Sequence, residues 1–289
     1  MQALLKQTTT ILEMIKFQHT IFALPFALTA MIIAAHGLPD ARIIFWIIAA
    51  CVFARTAAMS FNRWADRYLD SRNPRTATRA IPAGQLSARF VLIFTILSTI
   101  GFIVSAGMLN TTALLLSPIA LVILLGYSYT KRFTSLAHFV LGMALALAPM
   151  GAWIAVSGSI HPTAILLGIG VMLWTAGFDL IYACQDVEID RNEGLHSIPS
   201  RIGAHNALRL SRLLHVLAIA SFLAAGQQSQ SGVGYYTGIA IAAILLIAEH
   251  IIVSPHDLKR INIAFFTINS WVGMAILAGT VIDQFLVRR

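Results

Sequence analysis

Residues 162–193 read PTAILLGIGVMLWTAGFDLIYACQDVEIDRNE. The first 22 of them, Pro162–Ala183, hold one charged side chain, Asp179. As an α-helix that run spans about 33 Å, enough to cross a hydrocarbon core about 30 Å thick. It then breaks into four acids, Asp186, Glu188, Asp190 and Glu193. An apolar span ending abruptly in carboxylates is a helix leaving a membrane. The rest of the chain agrees: of 289 residues, 58% are hydrophobic and 11% charged, with mean hydropathy +0.79. Soluble domains carry about 25% charge. An ordinary soluble enzyme and a disordered chain are both excluded.

Apolar windows of membrane-crossing length fall near 20–37, 42–61, 89–107, 111–130, 136–156, 162–183, 207–226, 235–254 and 263–284. The expectation is an all-α polytopic membrane protein with nine transmembrane helices in one domain, residues 20–289. Pro25, Pro118 and Pro149 fall inside these windows, where membrane helices tolerate them. Residues 1–19 read as an amphipathic helix along the interface, with Leu5, Leu12 and Ile15 on one face. Cys51 and Cys184 lack metal or disulfide spacing and read as small hydrophobes. No stretch near the N-terminus reads as a cleaved signal peptide.

Net charge is +8, and position explains it better than nucleic acid does. Sixteen of the 20 Lys and Arg lie in the N-terminal segment and the loops after spans two, four, six and eight. The positive-inside rule makes those regions cytoplasmic. Such an asymmetry marks a multi-pass protein of the inner membrane, embedded in the lipid bilayer.

Seven of the 12 acids fall in residues 62–70 and 179–193, where even scatter would place about one. Asn62-x-x-x-Asp66-x-x-x-Asp70 leaves span two; Tyr182-x-x-x-Asp186-x-x-x-Asp190 leaves span six. At i, i+4 the carboxylates of each motif share a helix face. Solvated helix ends would explain one such pair. Two copies, each ending an even-numbered span, point instead to two acidic faces meeting across a pseudo-two-fold axis. Spans one to four and five to eight then form two pseudo-symmetric four-helix repeats, followed by a ninth helix. Asn62, Asp66, Asp70, Asp186 and Asp190 are candidate ligands for a hard divalent cation, Mg2+ above all.

Seven residues before each motif lies an intramembrane polar residue, Arg55 before Asn62 and Asp179 before Asp186. Seven residues are nearly two turns, so both point into one cavity, deeper than the metal. Either they pair with each other or they serve a reaction there. Arg72, Arg75 and Arg79 follow the first motif and Lys131 and Arg132 follow span four; guanidinium forks suit phosphate oxygens.

These motifs resemble those of the UbiA superfamily of intramembrane prenyltransferases. Asn62-Arg63-Trp64-Ala65-Asp66-Arg67-Tyr68-Leu69-Asp70 is similar to the family's N-D-x-x-D-x-x-x-D. Asp179-x-x-Tyr182-Ala183-x-x-Asp186-x-x-x-Asp190, continued by Gly194 and Ser197, resembles its second motif. Arg63 stands where the family usually has Asp, which leaves Asn62, Asp66 and Asp70 for the first metal. The resemblance implies two magnesium ions bridging the acids and the diphosphate of a polyprenyl diphosphate donor. It implies catalytic roles for Asp66, Asp70, Asp179, Asp186 and Asp190. Arg55, Arg72, Arg75, Arg79, Lys131 and Tyr182 would bind substrates. The acceptor it implies is a small aromatic, 4-hydroxybenzoate or an intermediate of the futalosine route to menaquinone.

A secondary transporter also combines repeats with intramembrane acids, but its ion sites lie near the midplane. Here the motif acids sit at helix ends beside arginine-rich loops. A phosphatidyl-alcohol transferase would carry D-G-x-x-A-R, which is missing.

Overall fold

The computed structural model describes residues 9–15, 22–253, 261 and 263–287. The described chain is helical throughout its regular structure. In order the helices are α1 Leu24–Ala35, α2 Ala41–Ala65, α3 Arg67–Arg72, α4 Ala88–Leu109, α5 Thr111–Thr130, α6 Ala137–Ser157, α7 Pro162–Ala183, α8 Val187–Asn192, α9 Ile198–Gln228, α10 Val233–Ile252 and α11 Asn269–Ile282. Two π-helical turns, Ile263–Ile268 and Asp283–Val287, flank α11.

Among the described residues, eight helical segments are long and apolar enough to span a membrane. The ninth expected span, 20–37, is represented by α1, whose 12 residues cover about 18 Å. Residues 20 and 21 lie outside the described part. Pro25 sits in the first turn of α1, not inside the helix, and there its missing N–H costs nothing. Pro118 and Pro149 are internal to α5 and α6.

α1, α6, α7, α9, α10 and α11 close into a ring by neighbouring contacts, while α2, α4 and α5 form a second group attached through α6. The expected repeat is visible in one pairing: α2 packs on α4 as α7 packs on α9, each an acid-bearing helix against its successor. It is broken in another, since α6 packs closely on α7 whereas α1 barely touches α2.

The core of the ring is aromatic. Trp174 lies 5.1 Å from Phe26 and 4.9 Å from Phe178, centroid to centroid, and Phe26 stacks on Phe222. On the far side of the ring, small residues bring α10 and α11 together. A Cβ added to Gly238 would stand 2.6 Å from the Ala275 carbonyl oxygen, so only glycine permits that approach. The same helices are tied to α7 by buried polar bonds: Trp174 Nε1 donates to Asn269 Oδ1 at 2.7 Å and Asn269 Nδ2 to Glu249 Oε1 at 2.7 Å.

Of the expected interfacial helix, residues 1–8 and 16–19 lie outside the described part. Residues 9–14 are helical. Met14 and Ile15 are buried with Leu86 and Val91, and buried Arg63 donates to the Met14 carbonyl. Leu12, expected on the face of Ile15, is exposed. Both cysteines are free, and Cys184 is buried with its thiol donating to the Leu180 carbonyl.

Candidate active site

Both acidic motifs were expected to continue their helices out of the membrane. Instead each helix breaks at the first acid. α2 ends at Ala65, and Asp66 takes φ −93°, ψ 6° before α3 begins. α7 ends at Ala183, a 3₁₀ turn covers Cys184–Asp186, and Asp186 takes φ −104°, ψ 8° before α8. Two residues 120 positions apart thus share one unusual backbone conformation at equivalent points of the repeat. The break turns α3 and α8 aside while keeping Asp70 and Asp190 one turn beyond, and both of these are buried.

The two breaks border one cavity of about 720 Å³. Asn62, Asp66 and Asp70 line it from one motif, and Asp179, Tyr182, Asp186 and Asp190 from the other. Arg55, Arg75, Arg79 and Lys131 also line it, with apolar walls that include Met59, Phe22, Leu145 and Phe178. Phe22 and Phe178 belong to the aromatic core, so the packed ring forms one wall of the cavity. Thr10, Glu13 and Met14 of the N-terminal segment close another part of it.

Cations stand against the acids. Arg75 donates to Asp186 through Nε (3.0 Å) and Nη2 (2.6 Å) and to the Tyr182 hydroxyl through Nη1 (2.8 Å). Arg79 pairs with Asp70 at 2.6 Å, and Arg132 with Asp66 at 2.9 Å. Asn62 Nδ2 donates to the other oxygen of Asp66 at 2.9 Å. Burial pushes the Asp66 carboxyl above the usual carboxylate range, and Asp70 adds to the rise; the Arg132 bond opposes it. Burial alone would lower Arg75, but the charge of Asp186, the bond to it, and Tyr182 and Asp70 together outweigh burial and hold the guanidinium above its ordinary value.

Among the described residues, no three His, Cys, Asp or Glu side chains converge into a ready-made metal cluster. The carboxylates bear another mark: Oδ2 of Asp70 and Oδ2 of Asp190 are buried without a hydrogen-bond partner. A buried carboxylate oxygen left unpaired costs on the order of 1–3 kcal/mol or more. Two of them facing one cavity are suited to a cation.

One of two open readings falls here, and one expectation changes. Arg55 and Asp179 both line the cavity but do not pair: Asp179 Oδ2 is bonded to His138 Nδ1 at 2.6 Å, and Arg55 Nε is buried without a partner. A mutual ion pair is therefore excluded as the reason for either residue. Arg72 is outside the cavity and pairs with Glu193 at 3.2 Å on the surface. His138 went unnoticed in the sequence. Its signal was available, since any titratable side chain in an apolar span invites attention, but a neutral histidine leaves no trace in a count of charges.

A cavity bordered by two carboxylate-bearing helix breaks, rimmed by arginines and walled by membrane helices, has the architecture of an intramembrane prenyltransferase. The sequence pattern of the UbiA prenyltransferase family matches residues 23–271, and the chain belongs to that family. The 4-hydroxybenzoate octaprenyltransferase of Vibrio cholerae serotype O1 is 32% identical over 256 residues, 89% of each chain. That of Ectopseudomonas mendocina is 32% identical over 264 residues, 90% of this chain and 87% of the relative. The apo structure of a UbiA homolog from Aeropyrum pernix K1 matches with TM-score 0.84 at 34% identity, covering 92% of this chain and 98% of that one. A UbiA homolog from Archaeoglobus fulgidus bound to DMAPP and Mg2+ shares the fold, with TM-score 0.67 at 18% identity, 92% of this chain and 99% of that one.

Proposed function

We propose that the protein transfers a polyprenyl group from a polyprenyl diphosphate to 4-hydroxybenzoate, in quinone biosynthesis, with Mg2+. The observation that carries this reading is the pair of equivalent helix breaks at Asp66 and Asp186 facing one cavity. The names of relatives about 32% identical over most of the chain support the acceptor.

Asn62, Asp66, Asp70, Asp186 and Asp190 would hold the metal. All five are oxygen donors, the class hard cations prefer, and the unpaired oxygens of Asp70 and Asp190 fit a cation. Held there, Mg2+ would supply the Lewis-acid charge neutralisation that lets diphosphate leave. Arg75, Arg79 and Lys131, with Arg132 beside them, turn N–H donors toward the phosphate oxygens. The apolar walls hold the prenyl chain and exclude water from the allylic carbon as its bond to oxygen breaks. Arg55, deepest of the cations, binds the acceptor carboxylate and so orients the ring. The ring π electrons form the new C–C bond, and Asp179 takes the ring proton as aromaticity returns. The arginine-rich ends face the cytoplasm of the inner membrane, in keeping with the positive-inside rule.

The test is purified protein in lipid nanodiscs with octaprenyl diphosphate, Mg2+ and either 4-hydroxybenzoate or a futalosine-route aromatic acid. Mass spectrometry should show Mg2+-dependent prenyl-4-hydroxybenzoate. Product from the second acid alone would replace the acceptor, and an intact donor with both would overturn the reading.

A further inference from the structure

We infer that His138 is the positioning residue that aims Asp179 into the cavity for proton removal. The inference rests on the role of Asp179 in the proposed reaction and adds a group outside both motifs. His138 is fully buried at the start of α6 and does not line the cavity; Asp179 does. The imidazole is held at both ends. Ile198, the first residue of α9, points its backbone N–H at His138 Nε2 at 3.4 Å. A backbone N–H can only donate, so Nε2 is the acceptor and the ring proton resides on Nδ1. Nδ1–H then donates to Asp179 Oδ2 at 2.6 Å.

This arrangement assigns the two carboxylate oxygens different tasks. Oδ2 is spent on His138, which fixes the side-chain torsion. The other oxygen is left to the cavity. In the step it serves, the C–H electron pair of the ring carbon returns to the π system and the proton passes to Asp179, while diphosphate has already left with its own electron pair. A carboxylate without the imidazole would rotate, and the productive geometry of a general base would be lost. The loop before α9, whose end holds His138 through Ile198, is itself tied to the cavity rim: His196 N–H donates to the Lys131 carbonyl at 2.7 Å.

Three variants test this: His138→Leu removes the donor, His138→Asn sets an amide N–H where Nδ1–H stands, and His138→Gln carries its amide one bond further, to the place of Nε2. With ring-deuterated 4-hydroxybenzoate, His138→Leu and His138→Gln should lose about ten- to a hundredfold in kcat and show a deuterium isotope effect larger than the unchanged protein. Donor KM should stay within about twofold, since the diphosphate contacts are elsewhere. His138→Asn should recover most of the rate. Should His138→Leu fail to fold, His138→Gln carries the same comparison. Unchanged kcat and isotope effect in either variant would overturn the role of His138 while leaving prenyl transfer intact. A readout independent of the acceptor is the low-field Nδ1–H proton of ¹⁵N-histidine-labelled protein, expected in the unchanged chain and lost in Asp179→Asn. A spectrum that does not respond to Asp179→Asn would equally overturn the pairing.

Discussion

Arg75 grips Asp186 across 111 residues of chain with two parallel bonds, Nε to Oδ1 at 3.0 Å and Nη2 to Oδ2 at 2.6 Å. The loop after one motif thereby occupies the first acid of the other. Both oxygens of Asp186 are engaged, so a divalent cation held by Asp186 would share the carboxylate with a guanidinium that already offsets its charge.

Arg75→Ala should therefore change the two ligands in opposite directions. Mg2+ binding without donor should tighten, because a competitor for Asp186 is gone. Donor KM should rise at least several-fold, because a phosphate ligand is gone. Titration of Mg2+ by calorimetry, beside donor kinetics, checks both signs; a weakening of both would mean Arg75 only buttresses the fold.

Asp66→Ala and Asp186→Ala should each abolish turnover while expression and melting temperature in detergent change little. Both residues sit at helix breaks near the surface, and neither anchors the aromatic core. A folded Asp186→Ala protein with near-normal rate would sink the assignment of metal ligands.

Asp70→Asn and Asp190→Asn should be milder and should raise the magnesium requirement. Each amide retains one oxygen where the carboxylate has an unpaired Oδ2, at lower charge. An unchanged Mg2+ titration in both variants would show that these oxygens never meet the metal.

Arg72 gives the contrasting case. Its partner is Glu193, its side chain is 67% exposed, and it lies outside the cavity. Such surface pairs contribute little, so Arg72→Ala should leave kcat and donor KM within about twofold. A larger fall would bring Arg72 back among the substrate ligands.

Part of this was readable from spacing alone. Asn62, Asp66 and Asp70, and Tyr182, Asp186 and Asp190, recur at i, i+4, and a helix turns that period into a shared face whatever it packs against. The breaks at Asp66 and Asp186 were not readable, because nothing in Ala65-Asp66-Arg67 or Gln185-Asp186-Val187 stops a helix locally; the turn is set by tertiary contacts such as Arg132 to the Ala65 carbonyl at 2.8 Å. Nor could spacing sort the arginines of residues 72–79. Three cations in one loop look alike in sequence, and only the fold turns Arg75 and Arg79 inward and Arg72 out. The partner of Asp179 was not readable for a related reason: charge complementarity left pairing with Arg55 open, while the bond went to a histidine 41 residues away.

That bond sharpens what Arg55 should do. With Asp179 engaged by His138, the guanidinium lines the cavity with its Nε buried without a partner. A small aromatic acid entering the cavity carries the charge it lacks. A charge-assisted bidentate contact contributes roughly 1.5–3 kcal/mol, about ten- to a hundredfold in binding. Arg55→Lys, which offers a point charge in place of a planar fork, should raise the acceptor KM at least several-fold and leave donor KM nearly untouched. An uncharged phenol of similar shape should show no such difference between the two proteins. The double change Arg55→Leu/Asp179→Leu should be as inactive as the worse single change, because the two residues act on different atoms of the acceptor. Measured acceptor and donor KM for these variants decide the matter: activity restored in the double variant, or a donor KM that rises with the acceptor KM, would remove Arg55 from the acceptor site.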